Sequence, residues 1–184
     1  MLRTATFLLL SSALGAPLSC GRASSSRHAT ALPVIPAGFV EQRGGGWRLA
    51  MPSAWQYAGD AGPAGWVAVD PQPVNDYRAN VSVIMEPFPG ESHEYAIASE
   101  SVLRHQPGSK VEAAREDVVD GDPTLIVEAR WLPKSQPLVE YRTMQAHLAS
   151  RGTGYVITCS VSVTAFERYR PTCEAIVKSF AVER

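Results

Sequence analysis

Residues 155–180 constrain this chain more than any other stretch. In Tyr155-Val156-Ile157-Thr158-Cys159-Ser160-Val161-Ser162-Val163 the odd positions are apolar or cysteine, and most even positions are Thr or Ser. That alternation is the period of a strand with one buried face, and Cys159 lies on that face. Immediately afterwards Phe166, Tyr169, Cys173, Ile176, Val177 and Phe180 recur at helical spacing. A strand therefore runs into a helix that lies back over its apolar face, and the two cysteines point into the same interface. In an exported protein they would form a disulfide that closes about 15 residues and stabilises the fold by ~3 kcal/mol. Two buried thiols are the alternative. No Cys-x-x-Cys is present to suggest a redox pair.

The beginning of the chain reads as export. Met1-Leu2-Arg3 carries a positive charge, and residues 5–16 are uncharged around Phe7-Leu8-Leu9-Leu10. An apolar run of about 12 residues is too short for a bilayer core of ~30 Å. A basic start, a short apolar run and small residues after it describe a secretory signal. It ends in Pro17-Leu18-Ser19-Cys20, so residues 1–19 are taken as the signal and Cys20 as a lipidated first residue, as in bacterial lipoproteins. Leu18 stands one place later than that pattern prefers. The rival is an ordinary cut after Gly15, with Ala13 and Gly15 as its small pair, which leaves Cys20 unmodified. Residues 20–36 are mostly Gly, Ser, Ala, Thr, Arg and Pro and form a tether rather than a packed element. The domain spans residues 37–184.

Within it, segments 38–42 and 47–52 flank Gly44-Gly45-Gly46 and predict a hairpin. Strands follow at 65–70 and 80–86. The segment 92–105 predicts a helix with Tyr95, Ala98, Val102 and Leu103 as its apolar stripe and Glu91 and Glu94 at its positive end. Strands at 110–119, 124–132, 138–149 and 155–163 are linked by short turns, the first at Asp120-Gly121. Thr164 and Glu167 fit a capping box. Pro171 predicts a short turn before the main helix starts near Arg170. Short turns imply a largely antiparallel sheet, so the fold class is α+β with two main helices packed on it.

These positions resemble the PsbP/DcrB-like family of α/β/α sandwiches, which includes mycobacterial lipoproteins of the LpqN kind. The resemblance rests on Trp47-Arg48-Leu49-Ala50-Met51-Pro52-Ser53-Ala54-Trp55, Val83-Ile84-Met85-Glu86-Pro87, and the helix from Tyr95 to Leu103. It continues in Asp120-Gly121-Asp122-Pro123-Thr124-Leu125-Ile126-Val127-Glu128-Ala129-Arg130 and Phe166-Glu167-Arg168-Tyr169-Arg170-Pro171 with Ile176-Val177-Lys178-Ser179-Phe180. It implies a domain that binds and assembles, as in photosystem subunits, envelope lipoproteins and chaperones of secreted effectors.

Motifs of chemistry are missing. The sequence holds no His-Glu-x-x-His, Gly-x-Ser-x-Gly or Gly-Lys-Ser/Thr phosphate loop. His93 and His105 sit about 18 Å apart along one helix. His28 falls in the tether, and His147 is read as a rim residue on a mixed strand face. Glu112, Glu116, Asp117, Asp120 and Asp122 read as a solvated acidic turn, since no full calcium loop follows. With 17 Lys and Arg against 18 Asp and Glu, nothing favours nucleic acid. No catalytic residue, metal ligand or cofactor is assigned. Trp47, Trp55, Trp66 and Trp131 are the candidate binding aromatics, should any be exposed in a groove. The function this predicts is a non-catalytic envelope lipoprotein that binds an envelope protein, held to the membrane by its lipid alone. A small-molecule or lipid carrier and an effector-chaperone-like module are the alternatives. The carrier would need an enclosed apolar pocket.

Overall fold

The computed structural model describes residues 35–60, 65–132 and 139–183. The segment expected to be a signal, Cys20 and nearly all of the expected tether lie outside the described residues. Two sheets form. A small one has the order β1-β2-β10, with β1 Phe39–Gly44, β2 Trp47–Pro52 and β10 Ala181–Val182. The large one has seven antiparallel strands in the order β3-β4-β5-β9-β8-β7-β6. Its strands are β3 Gln56–Gly59, β4 Gly65–Val69, β5 Asn80–Pro87, β6 Ser109–Val119, β7 Asp122–Trp131, β8 Tyr141–Ser150 and β9 Thr153–Ser162. Helix α1 is Ser92–His105 and α2 is Phe166–Lys178. The α+β sandwich expected from the turns is present. Strands β3 and β10, too short for a period to show, are additions to it.

Local chemistry fixes the turns. Asp120 and Gly121 both take positive φ (52° and 81°), as do Arg151 and Gly152 (52° and 81°). Two left-handed residues in a two-residue loop match the twist of the strands they join, and Val119 pairs with Asp122 as Ser150 pairs with Thr153.

The large sheet has two unlike faces. Val81, Val83, Ile126, Met144, Ala146, Leu148, Ile157, Cys159 and Val161 share one, on which α2 and the small sheet pack. Trp47, Leu49, Phe166, Ile176, Val177 and Phe180 complete this core with at most 1% exposure. Cys159 and Cys173 are disulfide-bonded across it with Cα atoms 5.4 Å apart, joining β9 to α2. Glu128 is buried among these apolar groups because Arg142 and Arg170 pair with it, and both guanidiniums sit over the Phe166 ring, at 4.0 and 4.9 Å.

Three expectations about the helices change. The buried side of α1 is Ser92, Tyr95, Ala96 and Leu103, while Ala98 and Val102 are exposed. Positions 92, 96, 99 and 103 form a stripe as regular as 95, 98 and 102, and the small Ser92 and Ala96 allow close approach to the sheet. Ser92 Oγ accepts the Ala149 N–H at 3.1 Å. At α2, Thr164 and Glu167 do not form a capping box. Thr164 Oγ1 accepts from Asn75 Nδ2 at 2.6 Å, and Glu167 pairs with Arg142 and Arg170. A 3-10 turn, Val163–Ala165, precedes the helix, which starts at Phe166 and runs through Pro171. Burial of Phe166 on one side of the proline and the Cys173 bond on the other hold the helix through the lost backbone bond.

Candidate functional site

The second face of the large sheet is only partly covered. Helix α1 lies over β6, β7 and β8. It seats through Tyr95, whose hydroxyl donates to Glu86 Oε1 at 2.6 Å. Burial, then the bond to Glu86, raises the Tyr95 hydroxyl well above the usual phenol range. Beneath it His147 is 1% exposed and edge-on to the Tyr95 ring, so it is a core residue and not a rim residue. The alternating face looked mixed because a helix, invisible in the local pattern, closes it. Burial lowers the His147 pKa to about 4. Its Nε2 lies 3.2 Å from Gln145 Oε1.

Beyond Tyr95, no described element covers this face over β9, β5 and β4. Val67, Ser82, Ile84, Val156 and Thr158 share it by register, and none of them is buried. At one end of the opening three aromatic rings stand in a row. Trp131 and Tyr141 form a cross-strand pair between β7 and β8, with ring centroids 6.1 Å apart and planes within 6°. Tyr77, from the loop between β4 and β5, stacks on Tyr141 at 5.4 Å and 15°. Polar groups pin the row in place. Trp131 Nε1 donates to Thr143 Oγ1 at 3.3 Å, and Asn80 Nδ2 donates to the Tyr77 hydroxyl at 3.2 Å. Burial raises both tyrosine hydroxyls above the ordinary value. All three side chains remain half-buried, and Leu132 beside them is exposed.

The four tryptophans therefore separate. Trp47 and Trp55 are buried in the core. Trp66 is half-buried, edge-on to Trp47 at 5.3 Å and stacked on Tyr57 at 6.2 Å. Trp131 alone among the four joins the row. Tyr77 and Tyr141 were not singled out from sequence. A usable signal was present, because Trp131 and Tyr141 flank the turn between two alternating segments and must come close if these pair as a hairpin.

The other candidates disperse. His93 is exposed on α1 and His105 Nδ1 lies 2.7 Å from Ser101 O. Asp120 Oδ2 accepts the Val182 N–H at 3.0 Å, and Glu112 pairs with Arg142. Burial pushes the Asp117 carboxyl up, but the Val118 N–H, Lys178 and Arg115 outweigh it and hold the carboxyl below its usual range. Among the described residues no three of His, Cys, Asp and Glu are grouped to hold a metal ion. Two clefts lined by described residues, of about 310 Å³ beside His93, Glu116 and Val118 and about 330 Å³ beside Trp55, Asp70 and Tyr169, are open to solvent. No described helix is long and apolar enough to cross a membrane.

Solved structures with this arrangement of strands and helices exist. LpqN of Mycobacterium tuberculosis, described as involved in cell envelope biogenesis, aligns at a TM-score of 0.58 and 12% identity over 79% of this chain and 90% of its own. Cyanobacterial PsbP (CyanoP) from Synechocystis aligns at 0.55 and 17% identity over 81% and 95%. A point mutant of the protein Mog1 aligns at 0.54 and 14% over 78% and 94%. The chain has the PsbP-like fold. No family model and no curated protein sequence matches it. The resemblance first carried by the Pro-x-x-Trp hairpin, the Asp-Gly turn and the last helix is thus a likeness of fold, shared with PsbP- and LpqN-like proteins at low identity.

Proposed function

We propose that this chain is a lipid-anchored protein of the cell envelope whose domain binds a protein partner and catalyses no reaction. The observation that carries the binding surface is the row Trp131, Tyr141 and Tyr77 at the end of a sheet face that no described element covers. Stacked aromatics with Asn80, Thr143 and Ser160 around them combine apolar area with fixed polar groups, which is the make-up of an interface centre and its rim. The signal, Cys20 and the tether support the location. The fold shared with LpqN, a protein described as involved in envelope biogenesis, agrees with it.

A photo-crosslinking residue at Ile84, on the open face, tests the surface in the native host. A discrete adduct is expected there and not at Arg104, on the exposed side of α1. Trp131→Ala should cut the adduct about tenfold, the ~1.4 kcal/mol of a contributing aromatic anchor. An Ile84 yield no greater than that at Arg104, or one indifferent to Trp131→Ala, removes this surface as the binding site. Intact mass from the membrane fraction tests the anchor. Residues 20–184 plus acyl groups is the expected species, and an unmodified Cys20 refutes it.

A further inference from the structure

Strand β6 ends the large sheet, so among the described residues no strand lies along its outer side. It is an 11-residue strand, long for an edge, and residues 112–116 are all exposed. Free backbone N–H and C=O groups along such a strand are a template for another strand, and proteins commonly guard them with charges and bulges. Strand β6 has both, with a bulge between Val111 and Ala113. Its charges nevertheless have an order that mere protection does not require. Lys110 and Glu112 precede Ala113 and Ala114, and Arg115 and Asp117 follow. Glu116, between Arg115 and Asp117, points to the other face of the strand. On the face these four share the signs are plus, minus, then plus, minus, so a reversed copy of the strand meets each of the four with its opposite.

The bulge makes the match geometrically consistent. It shifts the alternation by one residue, which brings Lys110, Glu112, Arg115 and Asp117 to the α2 face of the sheet. Lys110 pairs in register with Arg130, Glu112 bridges to Arg142, Arg115 bridges to Glu174, and Asp117 bridges to Lys178. With Ala114 on a two-fold axis and the bulge counted once on each strand, Arg115 faces Glu112 of the second copy and Lys110 faces Asp117. The alanines at the centre leave room for close approach. On the opposite face, the flank of α1 that lines the His93 cleft looks toward β6. Ile97, one turn along that flank, is 51% exposed, and Val118 on the strand is 61% exposed. Both apolar side chains border the same edge.

We propose that β6 pairs antiparallel with β6 of a second copy of this chain, joining two seven-stranded sheets into one. Strand pairing with two flanking apolar contacts falls short of the ~1,200–2,000 Å² of a stable interface, so the dimer forms in a concentration-dependent way. Crowding of tethered copies on a membrane would favour it.

The test uses the full chain with Ala114→Cys under mild oxidation. Directly opposed residues place their Cβ atoms about 4.5–5.5 Å apart, near enough for a disulfide after small adjustment. A cross-linked dimer is expected. Val118→Cys should give none, because eight positions at ~3.3 Å put the two copies of that residue roughly 26 Å apart. Adding Lys110→Glu, an exposed change at the start of the strand, should cut the cross-linked fraction at least about fivefold by setting like charges opposite each other twice. Unchanged melting of that variant keeps the readout specific. Absence of the Ala114→Cys dimer, equal cross-linking at Val118→Cys, or indifference to Lys110→Glu would each overturn the pairing.

Discussion

His147 shows what a single buried side chain can do to stability. It ionises at about 4 in the folded protein because burial disfavours its charged form, against 6.5 when exposed. Between those values the unfolded chain binds the proton that the folded chain refuses. Stability from this group is therefore complete above about pH 6.5 and falls as pH drops toward 4, with a total of roughly 3 kcal/mol. Urea titrations at several pH values should show this slope. His147→Phe, which keeps a ring against Tyr95, should flatten it over that window. If the variant keeps the full slope, carboxylates elsewhere are responsible. The same residue marks a limit of legibility. Strand alternation told which side His147 faces, but whether that side is dry depends on α1, some 50 residues away in sequence. The tryptophans divide for the same reason, since Trp47 and Trp131 have similar local patterns and different burial.

At the scale of elements, most boundaries were readable, the start of α2 excepted, and faces less so. The span 92–105 was legible as a helix because Pro107-Gly108 closes it and Glu91 and Glu94 stand at its start, yet its packed stripe depends on which small residues the sheet admits. Gly154 on β9 reports that seating. A Cβ built there would lie 2.6 Å from the Tyr95 ring, and the Tyr95 hydroxyl is tied to Glu86. Gly154→Ala should cost about 1–3 kcal/mol through overpacking and lower the melting temperature by several degrees. An unchanged melt would mean that α1 does not sit on β9 through Tyr95. The strand-helix unit at residues 155–180 was legible in both period and pairing, because Cys159 and Cys173 mark the two faces that meet. Replacing both by Ala removes a cross-link of 14-residue separation between fully buried atoms. The expected loss is about 3 kcal/mol in a urea unfolding series, and a loss below about 1 kcal/mol would mean that packing alone holds β9 to α2.

For the whole molecule, the feature no local pattern revealed is the seam made by the last residues. Strand β10 is two residues long, too short for any period, and it completes the small sheet by pairing with β2 through Ala181–Arg48 and Val182–Trp47. The Val182 N–H also donates to Asp120 at the β6–β7 turn, and the Glu183 N–H donates to Gly46 O at 2.8 Å. One short strand thus ties the first hairpin to the far edge of the large sheet, and does so beside Trp47 at the centre of the core. Ending the chain after Phe180 should destabilise it by about 3–5 kcal/mol, from a buried valine and several backbone bonds. Hydrogen exchange locates the loss. Amides of β1 and β2 should lose protection before those of β7 and β8, because the long strands keep their own ladders and the disulfide-linked helix. Equal loss in both sheets would show instead that the hairpin and the large sheet open as one unit, with Trp47 rather than β10 as the coupling between them.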